Sequence, residues 1–171
     1  MTSTRFPVRW WWVVPILFLT SVLTTRHLLT DTYWFDELQN LIKMGIDPYP
    51  PVAFGDMITF IGETRWVPAY NIVLLGWGDL AGWRTFATRT LSLFMGVISV
   101  ALMYRLGTVV HDQRAGFASA VLLGASVYLI HYSHEMRGYI QYLMLTILSV
   151  YLYWKLVNQR HTSRREQIAF V

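Results

Sequence analysis

The chain has 171 residues, of which 54% are hydrophobic and 14% charged, with no cysteine and a formal net charge of +4. Soluble domains carry roughly 25% charged residues, so this deficit, with apolar residues in long blocks, argues against an ordinary soluble core. Disulfides, thiol chemistry and Cys-zinc sites are excluded, and the basic residues flank apolar blocks instead of forming a nucleic-acid surface.

The first apolar block, Trp10–Thr25, lies between Arg9 and Arg26. It is short for a membrane span, which needs about 20 residues, but snorkelling of Arg26 extends it to about 10–28. A signal peptide is the rival reading, with Arg5 and Arg9 as its n-region, yet no small-x-small cleavage site follows. A loop of about 29–85 comes next, rich in acids (Asp31, Asp36, Glu37, Asp47, Asp56, Glu63, Asp79) and too long for a simple connection. Inside it Trp34, Leu38, Leu41 and Ile42 recur at i, i+4, i+7 and i+8, the apolar stripe of a short helix ending near Gly45 and lying on the membrane surface. Asp47-Pro48-Tyr49-Pro50-Pro51 then breaks regular structure. Trp66 to Trp77, containing Pro68, reads as a second interfacial helix.

Three more spans are expected at about 86–104, 115–132 and 138–156. In the third, Gly116, Ala120 and Gly124 stand four apart, a spacing that lets helices approach closely in lipid. With the N-terminus in the cytoplasm, the cytoplasmic pieces 1–9, 105–114 and 155–171 hold eight Lys and Arg in 36 residues, against six in 73 on the far side. That bias places both termini of a multi-pass cell-membrane protein in the cytoplasm. The expected fold is therefore an all-α integral membrane protein: about four transmembrane helices, plus interfacial helices in a long first extracytoplasmic loop.

Three constellations carry chemistry. In Tyr33-Trp34-Phe35-Asp36-Glu37, adjacent carboxylates on a helix point about 100° apart, so one can face a site while the other packs elsewhere. Desolvation near lipid and aromatics raises a carboxylate and makes it a better base; the competing reading is acids favoured by a helix dipole. His131-Tyr132-Ser133-His134-Glu135-Met136-Arg137-Gly138-Tyr139 crowds polar groups into one turn, and Arg137 offers five donors for a phosphate or carboxylate. His131, His134 and Glu135 are of metal-ligand type, but their spacing differs from His-Glu-x-x-His, so no metal ligand is assigned and a divalent ion is the one cofactor left open. In Glu63-Thr64-Arg65-Trp66-Val67-Pro68-Ala69-Tyr70, a cation beside aromatics suits a lipid phosphate, a sugar face or a membrane anchor.

These pieces, in this order, resemble the start of the GT-C glycosyltransferases, in particular the protein O-mannosyltransferases and the aminoarabinose transferases of lipid A. The resemblance rests on Phe35-Asp36-Glu37, on Pro68 and Tyr70 of Trp66-Val67-Pro68-Ala69-Tyr70, and on Arg89-Thr90-Leu91-Ser92-Leu93-Phe94-Met95-Gly96. Arg114-Ala115-Gly116 and Tyr132-Ser133-His134-Glu135-Met136-Arg137-Gly138-Tyr139 complete it, over about residues 10–157. It implies sugar transfer from a polyprenyl-phosphate donor to an acceptor hydroxyl on the non-cytoplasmic face. Asp36 would be the general base, Glu37 would orient the acceptor or Asp36, and Arg137 would neutralise the leaving phosphate. Arg65, Tyr70, His134, Glu135 and Tyr139, in the same stretches, are the further candidates for binding substrate. The resemblance requires Asp36 and Arg137 to line one pocket within about 10–12 Å, with room for a sugar and its phosphate, and not to lie on opposite faces of the bundle. Members of the family run to several hundred residues with roughly a dozen spans, so the resemblance implies a fragment, a truncated gene product or one half of a split enzyme whose further helices come from a second chain. Membrane lipids are the other expected partner. Two further readings are a non-catalytic scaffold or assembly subunit, using the Gly116/Ala120/Gly124 face as a subunit contact, and a transport subunit, which lacks a mid-membrane charge to support it.

Overall fold

The computed structural model describes residues 10–25, 32–63 and 68–158, and every regular element among them is helical. A 3-10 turn, Trp10–Trp12, leads into α1, Val13–Thr25. Pro15 sits in the first turn of α1, where an N–H would have no intrahelical acceptor, so the helix accommodates it. Residues 26–28 of the expected first span lie outside the described residues.

The loop that follows holds three helices: α2, Phe35–Met44; α3, Phe54–Glu63; and α4, Pro68–Ala81. Helix α2 ends where expected. Gly45 has φ 64°, its N–H reaches the Ile42 carbonyl at 3.1 Å, and a Cβ there would stand 2.6 Å from the Pro50 carbonyl oxygen. Both the left-handed cap and the returning chain require glycine. The buried face differs from the expected stripe. It carries Glu37, Asn40, Leu41 and Met44, while Trp34 and Ile42 are exposed. Two polar residues displace the apolar pattern because both find buried partners, described below. Helix α3 carries little sequence signal, since Gly55 and Gly62 lower its helix propensity. Helix α4 starts at Pro68 and runs past Trp77 to Ala81.

Helix α5, Thr85–Val110, has 26 residues, about 39 Å at 1.5 Å per residue. It continues six residues beyond the expected end at 104, because nothing breaks it before Asp112 caps the next helix. The expected third span is two helices, α6, Gln113–Gly124, and α7, Val127–Tyr132. The break follows from the sequence Gly124-Ala125-Ser126: the Ser126 hydroxyl accepts the Leu129 N–H at 3.2 Å and starts a new helix instead of continuing the old one. Helix α8, Tyr139–Asn158, closes the described chain. Two helices, α5 and α8, are long and apolar enough to cross a membrane, and α1 is a shorter apolar helix.

Helix α5 is the hub and packs against α1, α4, α6 and α8. On α6 the buried residues are Gly116, Ala120 and Gly124. A Cβ on Gly116 would stand 2.6 Å from the Tyr104 carbonyl oxygen, and one on Gly124 2.5 Å from Thr20 Oγ1 of α1. The small-residue face thus serves packing inside the molecule, not a subunit contact. Large apolar side chains, among them Phe18, Leu122, Tyr142, Val150 and Val157, point outward.

Candidate functional site

The N-terminal end of α5, the start of α2 and the turn between α7 and α8 meet at one end of the bundle. Trp34 precedes α2 in extended conformation, so Phe35, Asp36 and Glu37 form its first turn, where the helix dipole favours acids. The two carboxylates then diverge. Glu37 is fully buried. Its Oε1 accepts from Arg89 Nε at 3.0 Å and from the Met136 N–H at 2.9 Å, and its Oε2 from Arg89 Nη2 at 2.7 Å and the Trp34 N–H at 3.3 Å. Arg89 Nη2 also donates to the Thr32 carbonyl at 3.1 Å. A buried carboxylate survives only when paired and bonded in this way.

The same frame grips the turn from several sides. Asn40 Nδ2, one helical turn beyond Glu37, donates to the Met136 carbonyl at 2.7 Å, so α2 holds both polar backbone groups of one residue. Ser92, one turn beyond Arg89 on α5, donates to the Glu135 carbonyl at 2.6 Å. Behind it the buried Tyr70 hydroxyl lies 3.2 Å from Ser92 Oγ. Burial pushes the Tyr70 phenol well above the usual tyrosine range, the Ser92 contact opposing it. Where α5 passes the turn, a Cβ on Gly96 would stand 2.7 Å from Ser133 Oγ, so this residue must be small.

Held by its backbone, the turn presents its side chains. Arg137 Nη2 lies 2.9 Å from Asp36 Oδ1, with 18% of the Arg137 side chain and 42% of the Asp36 side chain exposed. Arg137 Nη1 also donates to the Tyr139 hydroxyl at 3.3 Å, with the guanidinium 6.0 Å from that ring's centre. Glu135 Oε1 is 3.4 Å from His131 Nε2, a fully charged pair only when the imidazole is protonated. Burial raises the Glu135 carboxyl above the ordinary glutamate value, His131 and Arg137 oppose the rise, and the Glu37 and Asp36 charges add to it. The Tyr132 ring packs, tilted, between those of Tyr128 and Tyr139, with ring centres 4.6 Å apart on either side.

Of the residues singled out in the sequence, Asp36, Arg137 and Tyr139 come together at an accessible surface, with Glu135 beside them. His134 is half-buried within the turn. Glu37, expected to orient the acceptor or Asp36, and Tyr70, expected to bind substrate, are both buried: the Glu37 oxygens accept from Arg89, Met136 and Trp34, and the Tyr70 hydroxyl lies beside Ser92. Arg65 lies outside the described residues. The 2.9 Å contact between Asp36 and Arg137 is far shorter than a sugar would need between them. Asn40 carries no mark in the sequence beyond its place one turn after Glu37. Arg89, Ser92 and Gly96 are different: all three positions of that spaced motif face Glu37 or the 133–136 turn. No group of three or more metal-binding side chains is assembled among the described residues. No protein-family model, curated protein or solved structure matches the chain.

Proposed function

We propose that the chain is a glycosyltransferase-like membrane protein that transfers a sugar from a polyprenyl-phosphate donor to an acceptor hydroxyl at the non-cytoplasmic face. The observation that carries this reading is the pairing of a partly exposed carboxylate, Asp36, with a mostly covered guanidinium, Arg137, on a buried frame at one end of an apolar bundle. In this reading α1, α5, the broken pair α6–α7 and α8 each cross the bilayer. Helices α2, α3 and α4 lie at the far surface, and both termini are cytoplasmic. The outward apolar side chains face lipid.

Asp36 takes the proton of the acceptor hydroxyl as its oxygen attacks the anomeric carbon, and the bond to the donor phosphate breaks with inversion. Arg137 holds the departing phosphate by charge-assisted hydrogen bonds. Glu37 and Arg89 act through Met136, whose fixed backbone carries Arg137 toward Asp36. Tyr139 supports the guanidinium. The inward use of the Gly116/Ala120/Gly124 face weighs against the scaffold reading, which needed that face for a partner.

The test is transfer by the full chain in proteoliposomes, with polyprenyl-phosphate sugars radiolabelled in the sugar and hydroxyl-bearing peptide or lipid acceptors. Wild type is expected to transfer label, and Asp36→Asn to lose about 10²–10⁴-fold with helix content unchanged. A wild type that transfers from no such donor, or an Asp36→Asn chain as active as wild type, overturns the proposal.

A further inference from the structure

The break between α6 and α7 lies deep in the bundle. A Cβ on Gly124, the last residue of α6, would stand 3.7 Å from Val100 Cγ2 of α5 and 3.5 Å from Ile16 Cγ2 of α1. Val100 is about 22 Å from the start of α5 at Thr85 and about 15 Å from its end at Val110, at 1.5 Å per residue. The break is therefore close to the middle of the longest apolar helix. Gly124 faces inward, but the residues after it do not: Ala125 is exposed, and Val127 and Tyr128 are 82% and 47% exposed. The backbone there is also incompletely bonded. Helix α6 ends with the Ala125 N–H on the Val121 carbonyl at 3.0 Å and the Ser126 N–H on the Leu123 carbonyl at 3.0 Å, and α7 begins with the Ile130 N–H on the Ser126 carbonyl at 3.1 Å. Among the described residues the Ala125 carbonyl accepts from no donor. The Ser126 hydroxyl accepts the Leu129 N–H but donates to no acceptor among them.

No water satisfies a free carbonyl in the hydrocarbon core, so irregular backbone at that depth is covered by protein or faces a water-filled cavity. We propose that the α6–α7 break is the contact surface of a homodimer, in which a second copy of this chain packs its own break against the first across a two-fold axis along the membrane normal. Copies inserted with one orientation carry the break at one depth, so Ala125 and Ser126 of the two chains meet. Each copy offers one donor and one acceptor. The Ser126 hydroxyl of either chain donates to the Ala125 carbonyl of the other, a pairing that a two-fold axis makes reciprocal. A purely apolar helix would cover the side chains and leave both groups unbonded. Small residues at 124 and 125 let the backbones approach, and Val127 and Tyr128 supply apolar cover. The inference rests on the proposed reading that α6 and α7 together cross the bilayer. It concerns a different surface from the Gly116/Ala120/Gly124 face, which packs inside the chain.

Because the chain has no cysteine, introduced thiols report the contact directly. Full-length Ala125→Cys and Val127→Cys chains would be reconstituted in phosphatidylcholine vesicles at low protein-to-lipid ratio and oxidised. A disulfide-linked dimer is expected from at least one of them, since bridging needs Cβ atoms about 3.5–4.5 Å apart. Phe18→Cys on α1 and Val150→Cys on α8, also exposed, are expected to remain unlinked. Energy transfer between copies labelled separately at Asp47→Cys gives the dimer affinity. Ser126→Ala is expected to weaken it about three- to tenfold, and Ser126→Thr, which keeps both hydroxyl and cap, to restore it. Ala125→Leu should also weaken it, without touching the cap. The proposal is overturned by no cross-link at either position, by equal cross-linking at all four, or by an affinity that neither Ser126→Ala nor Ala125→Leu changes. Labelling of Ala125→Cys by an impermeant maleimide would place the break in water and overturn it as well. Sugar transfer is judged separately: a chain that dimerises here yet transfers nothing refutes the function and keeps the interface, and a chain that transfers without cross-linking does the reverse.

Discussion

Glu37 and Glu135 carry similar carboxylates into quite different circumstances. Glu37 has its charge matched by Arg89 and both oxygens bonded, so losing one partner strands the other. Arg89→Met is expected to destabilise the chain by about 3–5 kcal/mol in equilibrium unfolding from mixed micelles. Adding Glu37→Gln removes the stranded charge, keeps an acceptor for the Met136 N–H, and should recover a substantial part of that loss. If the single variant unfolds like wild type, the buried pair is not what holds the turn. Glu135 is raised chiefly by burial. A raised folded value means tighter proton binding in the folded state, so the contribution is present at low pH and is lost as pH rises through the folded value. Measured against Glu135→Gln, wild type should lose relative stability as pH climbs from about 4; equal pH profiles would contradict this. The divergence of Asp36 and Glu37 was legible, because neighbouring residues on a helix cannot share a face. Which of the two would be buried was not. That depends on Arg89 and Met136, distant in sequence, and no local pattern encodes it.

At the scale of elements, glycine placement decides how closely helices approach. Gly107 on α5 and Gly116 on α6 face each other, and a Cβ on Gly107 would come within 2.8 Å of the Gly116 Cα. Gly116→Ala is expected to cost about 1–3 kcal/mol through overpacking. Leu122→Ala, on a residue 74% exposed, should stay within about 0.5 kcal/mol. Thermal melts of the two variants check the contrast, and a neutral Gly116→Ala would mean that α5 and α6 are free to separate. The spacing of these small residues was readable as a close contact, since spacing sets the face, but not as a contact within the chain. Helix breaks were harder to read. Apolar content runs through 115–132 without interruption, whereas the backbone responds to a serine that caps better than it continues. The stripe on α2 misleads for a related reason: hydrophobic periodicity counts apolar residues, and the buried face of α2 includes Glu37 and Asn40, whose burial is secured by hydrogen bonds.

For the molecule as a whole, the absence of cysteine makes orientation directly testable, because each introduced thiol is unique. In intact cells an impermeant maleimide is expected to label Asp47→Cys, in the exposed segment after α2, and to reach His111→Cys, between α5 and α6, only after permeabilisation. The reverse pattern would invert the proposed topology. The grip on Met136 also has a consequence in time. Glu37 meets Arg89 across 52 positions and Met136 across 99. With elongation at roughly 5–20 residues per second, the first partner is synthesised about 3–10 s after Glu37 and the second about 5–20 s after it. The ribosome therefore sets an order of supply: Arg89 is available to neutralise Glu37 before the turn that carries both Met136 and Arg137 exists. The buried charge thus has its partner before either Met136 or the Arg137 that meets Asp36 has been made.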